Sequence, residues 1–286
     1  MKKIVEKSYA KINIALNVVN KREDGYHELD MVMLPLKLHD SLMISELVGK
    51  KDNFVIMDDF TFYIGDNNIA HKALDILEAN YNLKGKKFKI IIHKNIPMKA
   101  GMGGGSSNAA ATLKGINKYM KLNISKEDLF EMSKSLGSDV PFFVESVPAR
   151  CKGRGEIITP ITVKNKYHCL IVKPEGGCST KVIYDAFDQD PQYDICNIEN
   201  VIKALEEGDD DLLADSIGNS LQFAAIKEVP EIEQVINKLK EEGLKIVMMT
   251  GSGSAVFALS TDAKLIKHVA KKFEDKYQVE VTEVLN

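Results

Sequence analysis

Alternation of apolar and polar residues predicts that the chain begins with strands. Residues 11–14, Lys-Ile-Asn-Ile, change between polar and apolar at every position, which is the period of a half-buried strand. Residues 31–48 and 54–64 carry further strand-like segments. The pair Asp24-Gly25 lies between the first two segments and is a strong turn signal. We therefore expect the first part of the chain to build a sheet.

A helix and a strand are then predicted before a glycine-rich stretch, and a second helix after it. Residues 68–81 place their apolar side chains on one face of a helix. An apolar strand over residues 88–92 leads into the glycines, and residues 109–120 form the helix that follows them.

The next helix is marked at both ends. Ser125 and Asp128 resemble a capping box at its start, and Gly137 is typical of its end. Because Val140 precedes Pro141, we expect it to be extended. This pattern predicts that Asp139 lies at a corner between a helix and a strand.

The last part of the chain predicts a second α+β lobe. Residues 168–172 and 247–259 are strand-like, and four segments have helical periodicity: 198–207, 210–226, 230–242 and 262–274. We therefore divide the chain into an N-terminal lobe, residues 1–158, and a C-terminal lobe, residues 159–286.

The glycine-rich stretch is the strongest functional signal. Residues 97–110 read PMKAGMGGGSSNAA, between a predicted strand and a predicted helix. Glycines allow the backbone to approach a bulky anion, and the unpaired N–H groups of a helix start point towards it. The sequence therefore predicts a phosphate-binding loop.

Other readings of the glycines explain them less well. A Walker loop needs Lys followed by Ser or Thr after its last glycine, and Ser106 and Ser107 follow here. A Rossmann fingerprint needs an acidic residue about 20 positions on, and Asp128 at that distance fits a helix cap better. A plain hinge does not need paired hydroxyls at a helix start.

Composition and charge exclude several classes of protein. The formal net charge of −3 provides no basic surface for a nucleic acid. The four cysteines have no metal-binding spacing, which is typical of buried or incidental thiols in a reducing compartment. No apolar run reaches the length of a membrane helix, about 18 residues, and lysines interrupt the N-terminal apolar stretch, so we expect neither a membrane span nor a signal peptide. We expect a cytoplasmic protein.

Three motifs together resemble the GHMP kinases, the family named for galactose, homoserine, mevalonate and phosphomevalonate kinases. Residues 8–18, SYAKINIALNV, are similar to its first motif, residues 97–110 to its phosphate-binding motif, and residues 250–259, TGSGSAVFAL, to its third. The resemblance implies an α+β, two-lobed fold. Its N-terminal lobe is similar to domain 2 of ribosomal protein S5, its C-terminal lobe is ferredoxin-like, and the site lies between them.

The resemblance also implies the catalytic residues. Lys11 and Asp139 match the family's catalytic Lys and Asp. A carboxylate at this place takes or orients the proton of an acceptor hydroxyl, and an ammonium keeps it ionised and faces the γ-phosphate. Without the resemblance, a lysine that alternates in a strand faces solvent about four times in five, and Asp139 is an ordinary helix-end residue.

Donor-side residues follow from the same resemblance. The expected ATP ligands are the loop together with two positions near the adenine: Pro97, Met98, Lys99, Ala100, Gly101, Met102, Gly103, Gly104, Gly105, Ser106, Ser107, Asn68 and Lys94. Asn68 alone is more often a helix cap than a ligand. Mg²⁺ is expected because it neutralises the β- and γ-phosphates, and Ser107 is a candidate protein ligand.

Acceptor-side residues indicate a nucleobase. The run KREDGYH, residues 21–27, is similar to the family member that recognises a cytidine diphosphate head group. We expect the cytosine to lie between the aromatic side chains of Tyr26, His27 and Tyr184, because such rings stack on bases. Thr180 and Asn13 complete the expected pocket.

Three alternatives remain. Another GHMP kinase, acting on homoserine or mevalonate, leaves the aromatic residues of the acceptor pocket unexplained. A non-catalytic nucleotide- or sugar-binding regulator of the same fold is disfavoured by intact Lys11, Asp139 and glycine loop. An RNA-binding protein is disfavoured by the acidic balance of charge.

Overall fold

In a computed structural model, residues 2–57, 68–191 and 196–286 are described. The chain divides into two compact units. The first unit comprises Met1–Ala10, Leu38–Ile96 and Gly103–Ser146, and the second comprises Lys11–Lys37, Pro97–Met102 and Val147–Asn286. The lobe boundary after residue 158 stays a prediction.

The first unit combines sheet and helices. Its strands, of which the first two also continue into the second unit, are β1 (Lys3–Lys21), β2 (His27–Leu47), β3 (Phe54–Met57) and β4 (Lys87–His93), and its helices are α1 (Ile69–Asn80), α2 (Gly104–Met120), α3 (Lys126–Lys134) and α4 (Phe142–Glu145). β4 pairs antiparallel with β2 and parallel with β3. Alternate residues of β4 are buried, as its apolar period predicts. Of the strand predicted over 54–64, β3 covers the first part, and residues 58–64 lie outside the described residues.

The helix that follows the glycines begins earlier than predicted. α2 begins at Gly104, not at residue 109, and Gly103 stands before it with a left-handed φ of 69°. Glycine is a poor helix former, so the sequence does not predict this first turn of the helix. The consequence is that Gly104, Gly105 and Ser106 belong to the N-terminal turn of the helix.

The predicted corner at Asp139 is wrong in one respect. Val140 is not extended before a strand; residues 138–141 form a turn that leads directly into α4. Val140 N–H donates to Gly137 O at 3.1 Å. Pro141 precedes the first turn of α4, where its missing N–H costs nothing. Burial of Phe142 and Phe143 stabilises this short helix. Asp139 therefore lies at a corner between two helices.

The second unit carries the remaining elements. They are β5 (Ala149–Gly153), β6 (Ile157–Pro160), β7 (His168–Lys173), α5 (Thr180–Gln189), α6 (Ile198–Glu207), α7 (Asp210–Ser216), β8 (Gly218–Asn219), α8 (Gln222–Glu228), α9 (Glu231–Glu241), β9 (Ile246–Met249), β10 (Val256–Ser260), α10 (Ala263–Ala270) and β11 (Gln278–Glu283). Within this unit β5 pairs antiparallel with β2 and β6, and β8 pairs parallel with β1.

A four-stranded antiparallel sheet forms the core of this unit. Its spatial order is β11-β7-β10-β9. If these strands are numbered along the chain, the order is fourth, first, third, second, with helices before the second and the fourth. This is the ferredoxin-like arrangement that was expected of the C-terminal lobe.

Two predicted elements of this unit are divided. The helix predicted over 210–226 is interrupted by β8, because Gly218 breaks the helix and β8 pairs with β1. The strand predicted over 247–259 is a pair, β9 and β10, joined by residues 250–255. The described residues contain no helix long and apolar enough to cross a membrane.

Candidate active site

The start of α2 is prepared for an anion. Gly103 has no side chain with which to cap the helix, so the N–H groups of the first turn point out of its end. A Cβ placed on Gly104 would lie 3.1 Å from Lys94 Nζ, so an ammonium group lies against the same turn. Helix dipole and lysine charge therefore favour a negative ligand at one place.

Lys94 is fixed by a carboxylate that sequence reasoning missed. Asp40 is fully buried and pairs with Lys94 Nζ. Its other oxygen accepts from the backbone N–H groups of Asn95 and Ile96, each at 2.8 Å. An aspartate within a predicted strand carries no sequence signal for this role, because its partner is 54 residues away.

Hydroxyl groups attach the first turns of α2 to β1. Ser8 is buried, and its Oγ lies 2.7 Å from Ser107 Oγ and 2.7 Å from Asn108 Oδ1. Ser107 thus contributes to holding the loop, in addition to the ligand role guessed for it.

Asn68 is the N-cap of α1. Its Oδ1 accepts from Ala70 N–H at 2.9 Å, the ordinary role of asparagine at this position. A Cβ on Gly105 would lie 3.8 Å from Ile69 Cδ1, so the start of α1 is beside the glycine loop. The structure therefore gives Asn68 a local structural role next to the predicted nucleotide loop.

Lys11 is buried, with 4% of its surface exposed. Its Nζ donates to Asn13 Oδ1, and its backbone N–H donates to Met102 O at 3.1 Å. Asn13 is also buried, and its N–H donates to Thr250 Oγ1 at 2.9 Å. Three segments of the second unit thus meet around Lys11: β1, residues 97–102 and residues 250–253.

Two of these motifs touch through glycine backbones. A Cβ on Gly101, whose φ is +74°, would lie 2.2 Å from Thr250 O. A Cβ on Gly251 would lie 2.7 Å from Gly101 O and 3.3 Å from Lys11 Nζ. Asn219 supports the loop by donating to the carbonyls of Met249 and Gly251. Only glycine allows this approach at either position.

The other loop residues of the second unit differ in exposure. Ala100 and Met102 are buried, whereas Met98 is 48% exposed. Lys99 is exposed and has a left-handed φ of 52°. A strained exposed lysine in this loop is consistent with a role in binding rather than in packing.

Asp139 is half-buried at the turn between α3 and α4. The buried phenylalanines that follow it fix this turn, and Lys114 Nζ on α2 donates to Phe143 O at 2.9 Å. Burial lowers the pKa of Lys114. Asp139 is thus presented by ordered backbone.

His27 and Tyr184 are in contact, although the chain separates them. Their rings stack with centroids 4.7 Å apart and planes inclined by 29°. In this arrangement the spacing leaves no room for a third ring between His27 and Tyr184. The place of the base stays a prediction. A base can meet the edge of His27 or the outer face of Tyr184.

The other predicted acceptor residues lie in the same unit. Tyr26 is 51% exposed, and the Arg154 guanidinium covers one face of its ring at 4.1 Å from the centroid. Thr180 begins α5, and its hydroxyl lies 3.0 Å from Ser252 Oγ. The helix α5 was not predicted, although it carries both Thr180 and Tyr184.

Asp188, on the same helix, contacts His27 and was not predicted from the sequence. Its Oδ1 lies 2.7 Å from His27 Nε2, and its Oδ2 accepts from Lys21 Nζ at 2.5 Å. Burial raises the pKa of Asp188, but the hydrogen bonds from Lys21 and His27 outweigh it and hold that pKa below its usual value. Only the fold brings these residues together, since 161 positions separate Asp188 from His27.

The described part of the chain contains no group of three or more His, Cys, Asp or Glu side chains that could hold a metal ion. The four cysteines, all within that part, are free thiols. Burial raises the pKa of Cys178 to about 11, so this thiol is protonated at neutral pH. Cys151, Cys169 and Cys178 are buried, as expected, whereas Cys196 is half-buried.

Two family models match the chain. The GHMP kinases N terminal domain matches residues 68–146, and the GHMP kinases C terminal domain matches residues 201–279. Together they cover the glycine loop and two of the four strands of the ferredoxin-like sheet, β9 and β10. The predicted family and its α+β fold are confirmed.

Similar proteins agree with these models. A 4-diphosphocytidyl-2-C-methyl-D-erythritol kinase of Caldicellulosiruptor bescii is 36% identical over 280 residues, 98% of this chain and 96% of the relative. One of Bacillus pumilus is 38% identical over 258 residues, 90% of this chain and 88% of the relative.

Solved structures give the same result at the level of the fold. A crystal structure of a 4-(cytidine 5'-diphospho)-2C-methyl-D-erythritol kinase matches with a TM-score of 0.82 at 28% identity, over 99% of this chain and 100% of that one. A homoserine kinase of Cytophaga hutchinsonii matches with a TM-score of 0.72 at 16% identity, over 97% of this chain and 95% of that one, and shows the fold alone.

Proposed function

This chain belongs to the GHMP kinase family, and on that premise we propose that it phosphorylates the 2-hydroxyl of 4-diphosphocytidyl-2-C-methyl-D-erythritol with ATP. The reaction is a step of the non-mevalonate route to isoprenoid precursors, and we place it in the cytoplasm. Relatives with this name match nearly the whole chain. The observation that carries the substrate class is the cluster of His27, Tyr184 and Asp188, because a small acceptor without a base does not need it.

The donor phosphates bind at the start of α2. Backbone N–H groups from Gly104 onwards and the ammonium of Lys94 supply positive potential. Within the second unit, Thr250 and Gly251 lie against Gly101. Asn68 acts indirectly, by fixing the start of α1.

Asp139 and Lys11 act on the transfer itself. Asp139 takes the proton of the 2-hydroxyl as its oxygen forms a bond to the γ-phosphorus. The bond from that phosphorus to the β-bridging oxygen breaks, and ADP leaves with the electron pair. Lys11, oriented by Asn13, neutralises charge on the transferring group.

Mg²⁺ fits this site as a companion of ATP. Magnesium is commonly held by one or two carboxylates together with substrate phosphates, so it does not require a cluster of protein ligands. Asp139 and the hydroxyl of Ser107, both in the first unit, are the residues that would hold it. When bound, the ion neutralises the β- and γ-phosphates.

The cytidyl group binds to the second unit. The edge of His27 hydrogen-bonds the base, and Tyr26 and Tyr184 offer stacking faces. Thr180 and Asn13 provide polar groups for the rest of the acceptor. The side chain of Arg154, beside Tyr26, is a further cation on this side.

The test compares acceptors. Purified protein is given ATP with the cytidyl substrate, with homoserine or with mevalonate, and ADP release is measured while mass spectrometry identifies the product. We expect acceptor-dependent ADP release with the cytidyl substrate alone. Turnover of homoserine or mevalonate instead contradicts the proposed substrate, and ATP binding without any turnover favours the non-catalytic alternative.

A further inference from the structure

The imidazole of His27 is held on three sides. Tyr184 stacks on its face, and Phe187 meets it edge-on with centroids 6.4 Å apart and planes at 82°. Asp188 Oδ1 lies 2.7 Å from its Nε2. The His27 side chain is only 9% exposed, so both the position and the rotation of the ring are fixed.

The carboxylate also decides where the ring carries its proton. An ionised carboxylate only accepts hydrogen bonds, so Nε2 must be the donor of this pair. Lys21 Nζ donates to the other carboxylate oxygen and favours its ionised form. In a neutral imidazole the second nitrogen, Nδ1, is then an acceptor.

An acceptor at Nδ1 can distinguish between two pyrimidines. Cytosine has an exocyclic amino group, a donor, where uracil has a carbonyl oxygen, an acceptor. An acceptor at Nδ1 pairs with the amino group and opposes the carbonyl. Opposing two acceptors in a partly buried site leaves both unsatisfied, which discriminates more strongly than a missing apolar contact.

We infer that Asp188 is a positioning and specificity-determining residue, which holds His27 with its proton on Nε2 so that Nδ1 selects an aminopyrimidine over an oxopyrimidine. The inference rests on the proposed function, because it takes the base to meet the edge of His27. Asp188 acts through His27 and touches no reacting atom. Lys21 supports it from the other oxygen.

The first experiment needs no substrate. The protein is labelled with ¹⁵N-histidine, and the His27 signals are assigned with His27→Gln, a small task in a chain of 6 histidines. At pH 8 we expect Nε2 to carry the proton in the unsubstituted protein. In Asp188→Asn we expect the proton to be shared between the two nitrogens, because an amide both donates and accepts. An unchanged tautomer in Asp188→Asn overturns the inference.

The second experiment measures selection. For Asp188→Asn we expect the acceptor KM to rise about tenfold, the worth of one lost hydrogen bond, with kcat and the KM for ATP nearly unchanged. The preference for the cytidyl over the uridyl acceptor should fall by a similar factor. Asp185→Asn is the matched control, because it removes the same charge from an exposed position of α5 and should change neither value.

The outcomes separate the two proposals. An active enzyme whose preference for the cytidyl acceptor survives Asp188→Asn overturns this inference and leaves the proposed function standing. An unsubstituted protein that ignores the cytidyl acceptor contradicts the proposed function, while the histidine spectrum still reports on Asp188. If Asp188→Asn does not fold, Lys21→Gln is used, with smaller changes in the same direction expected and no change counting against the inference.

Discussion

Burial of Lys11 shapes how its charge acts. A lysine side chain removed from water loses hydration, and the amide oxygen of Asn13 replaces part of it. The ammonium is therefore already oriented when a phosphate arrives, and little reorganisation is needed in the transition state. The alternation of β1 alone would have placed this side chain in solvent. Its burial follows from residues 97–102 and 250–253, which the fold places around it.

Replacement of Asp139 tests the chemistry at one atom. We expect Asp139→Asn to lower kcat by about 10²-fold or more, because an amide cannot accept the hydroxyl proton. ATP affinity and the unfolding midpoint should be retained. Glu127→Gln, an exposed acid at the start of α3, is the control and should keep full turnover. Near-normal turnover of Asp139→Asn would remove this residue from the mechanism.

Replacement of Asp40 tests the support of Lys94. Asp40→Asn keeps an oxygen for the two backbone N–H groups but removes the counter-charge of the lysine. We expect the free energy of unfolding to fall by about 1–3 kcal/mol and the KM for ATP to change. Urea titration and initial rates measure both. Asp52→Asn, at an exposed turn, should alter neither, and a silent Asp40→Asn would contradict the support role.

At the scale of elements, α2 packs closely on β2. A Cβ on Gly115 would lie 2.3 Å from Ile44 Cδ1, the end of a fully buried side chain. Glycine at this position allows the close packing. It costs about 1 kcal/mol of helix stability relative to alanine. This close approach holds the middle of α2 against the sheet, while the hydrogen bonds of Ser8 to Ser107 and Asn108 hold its first turns.

A double-mutant cycle measures this packing. Gly115→Ala alone should suffer from overpacking of about 1–3 kcal/mol, and Ile44→Val alone should cost about 0.5–1.5 kcal/mol. Together they should cost less than their sum, by about 1 kcal/mol, because the new methyl group occupies the vacated space. Urea unfolding gives the four free energies. Gly243→Ala, which has open space at its Cβ, should be additive with Ile44→Val; additivity for Gly115→Ala would contradict the contact.

Elements with a clear period could be predicted from sequence. The helix over 198–207 has the predicted bounds, because its apolar stripe and its Asn197 cap are local signals. The start of α2 and the turn at Val140 could not be predicted. Gly104 has a low helix propensity, so the sequence gives no signal that α2 begins there. The short helix α4 depends on the burial of Phe142 and Phe143 more than on local preference.

At the scale of the whole molecule, the motifs predicted the family and the loop, whereas the partners of each residue were not readable. Asp40 and Asp188 lie 54 and 161 positions from the side chains they hold. A single sequence does not show which residues so far apart along the chain are in contact. The direct stacking of His27 on Tyr184 could not be predicted for the same reason, because it is a tertiary contact.

The charge of the whole chain predicts that it does not bind RNA. A net charge of −3 gives few counterions to release from a phosphate backbone. We expect no change in the fluorescence polarisation of a labelled single-stranded RNA at about 10 µM protein and physiological salt. The affinity for RNA would then be weaker than that of typical non-specific binding. A lysine-rich ribosomal protein serves as the positive control. Salt-sensitive binding in the micromolar range would revive the RNA-binding alternative.

The contact between Gly101 and Gly251 also constrains how this enzyme can change over generations. Each single codon change away from glycine at either position meets backbone atoms, which cannot move aside as a side chain can. A first substitution at either glycine is therefore not viable. A second substitution at the other glycine cannot compensate for it, because the clash is with backbone atoms. A selected library randomised at both should return the original pair. Divergence towards new acceptors has to proceed through side chains such as Tyr26 and Arg154, whose partner is another side chain.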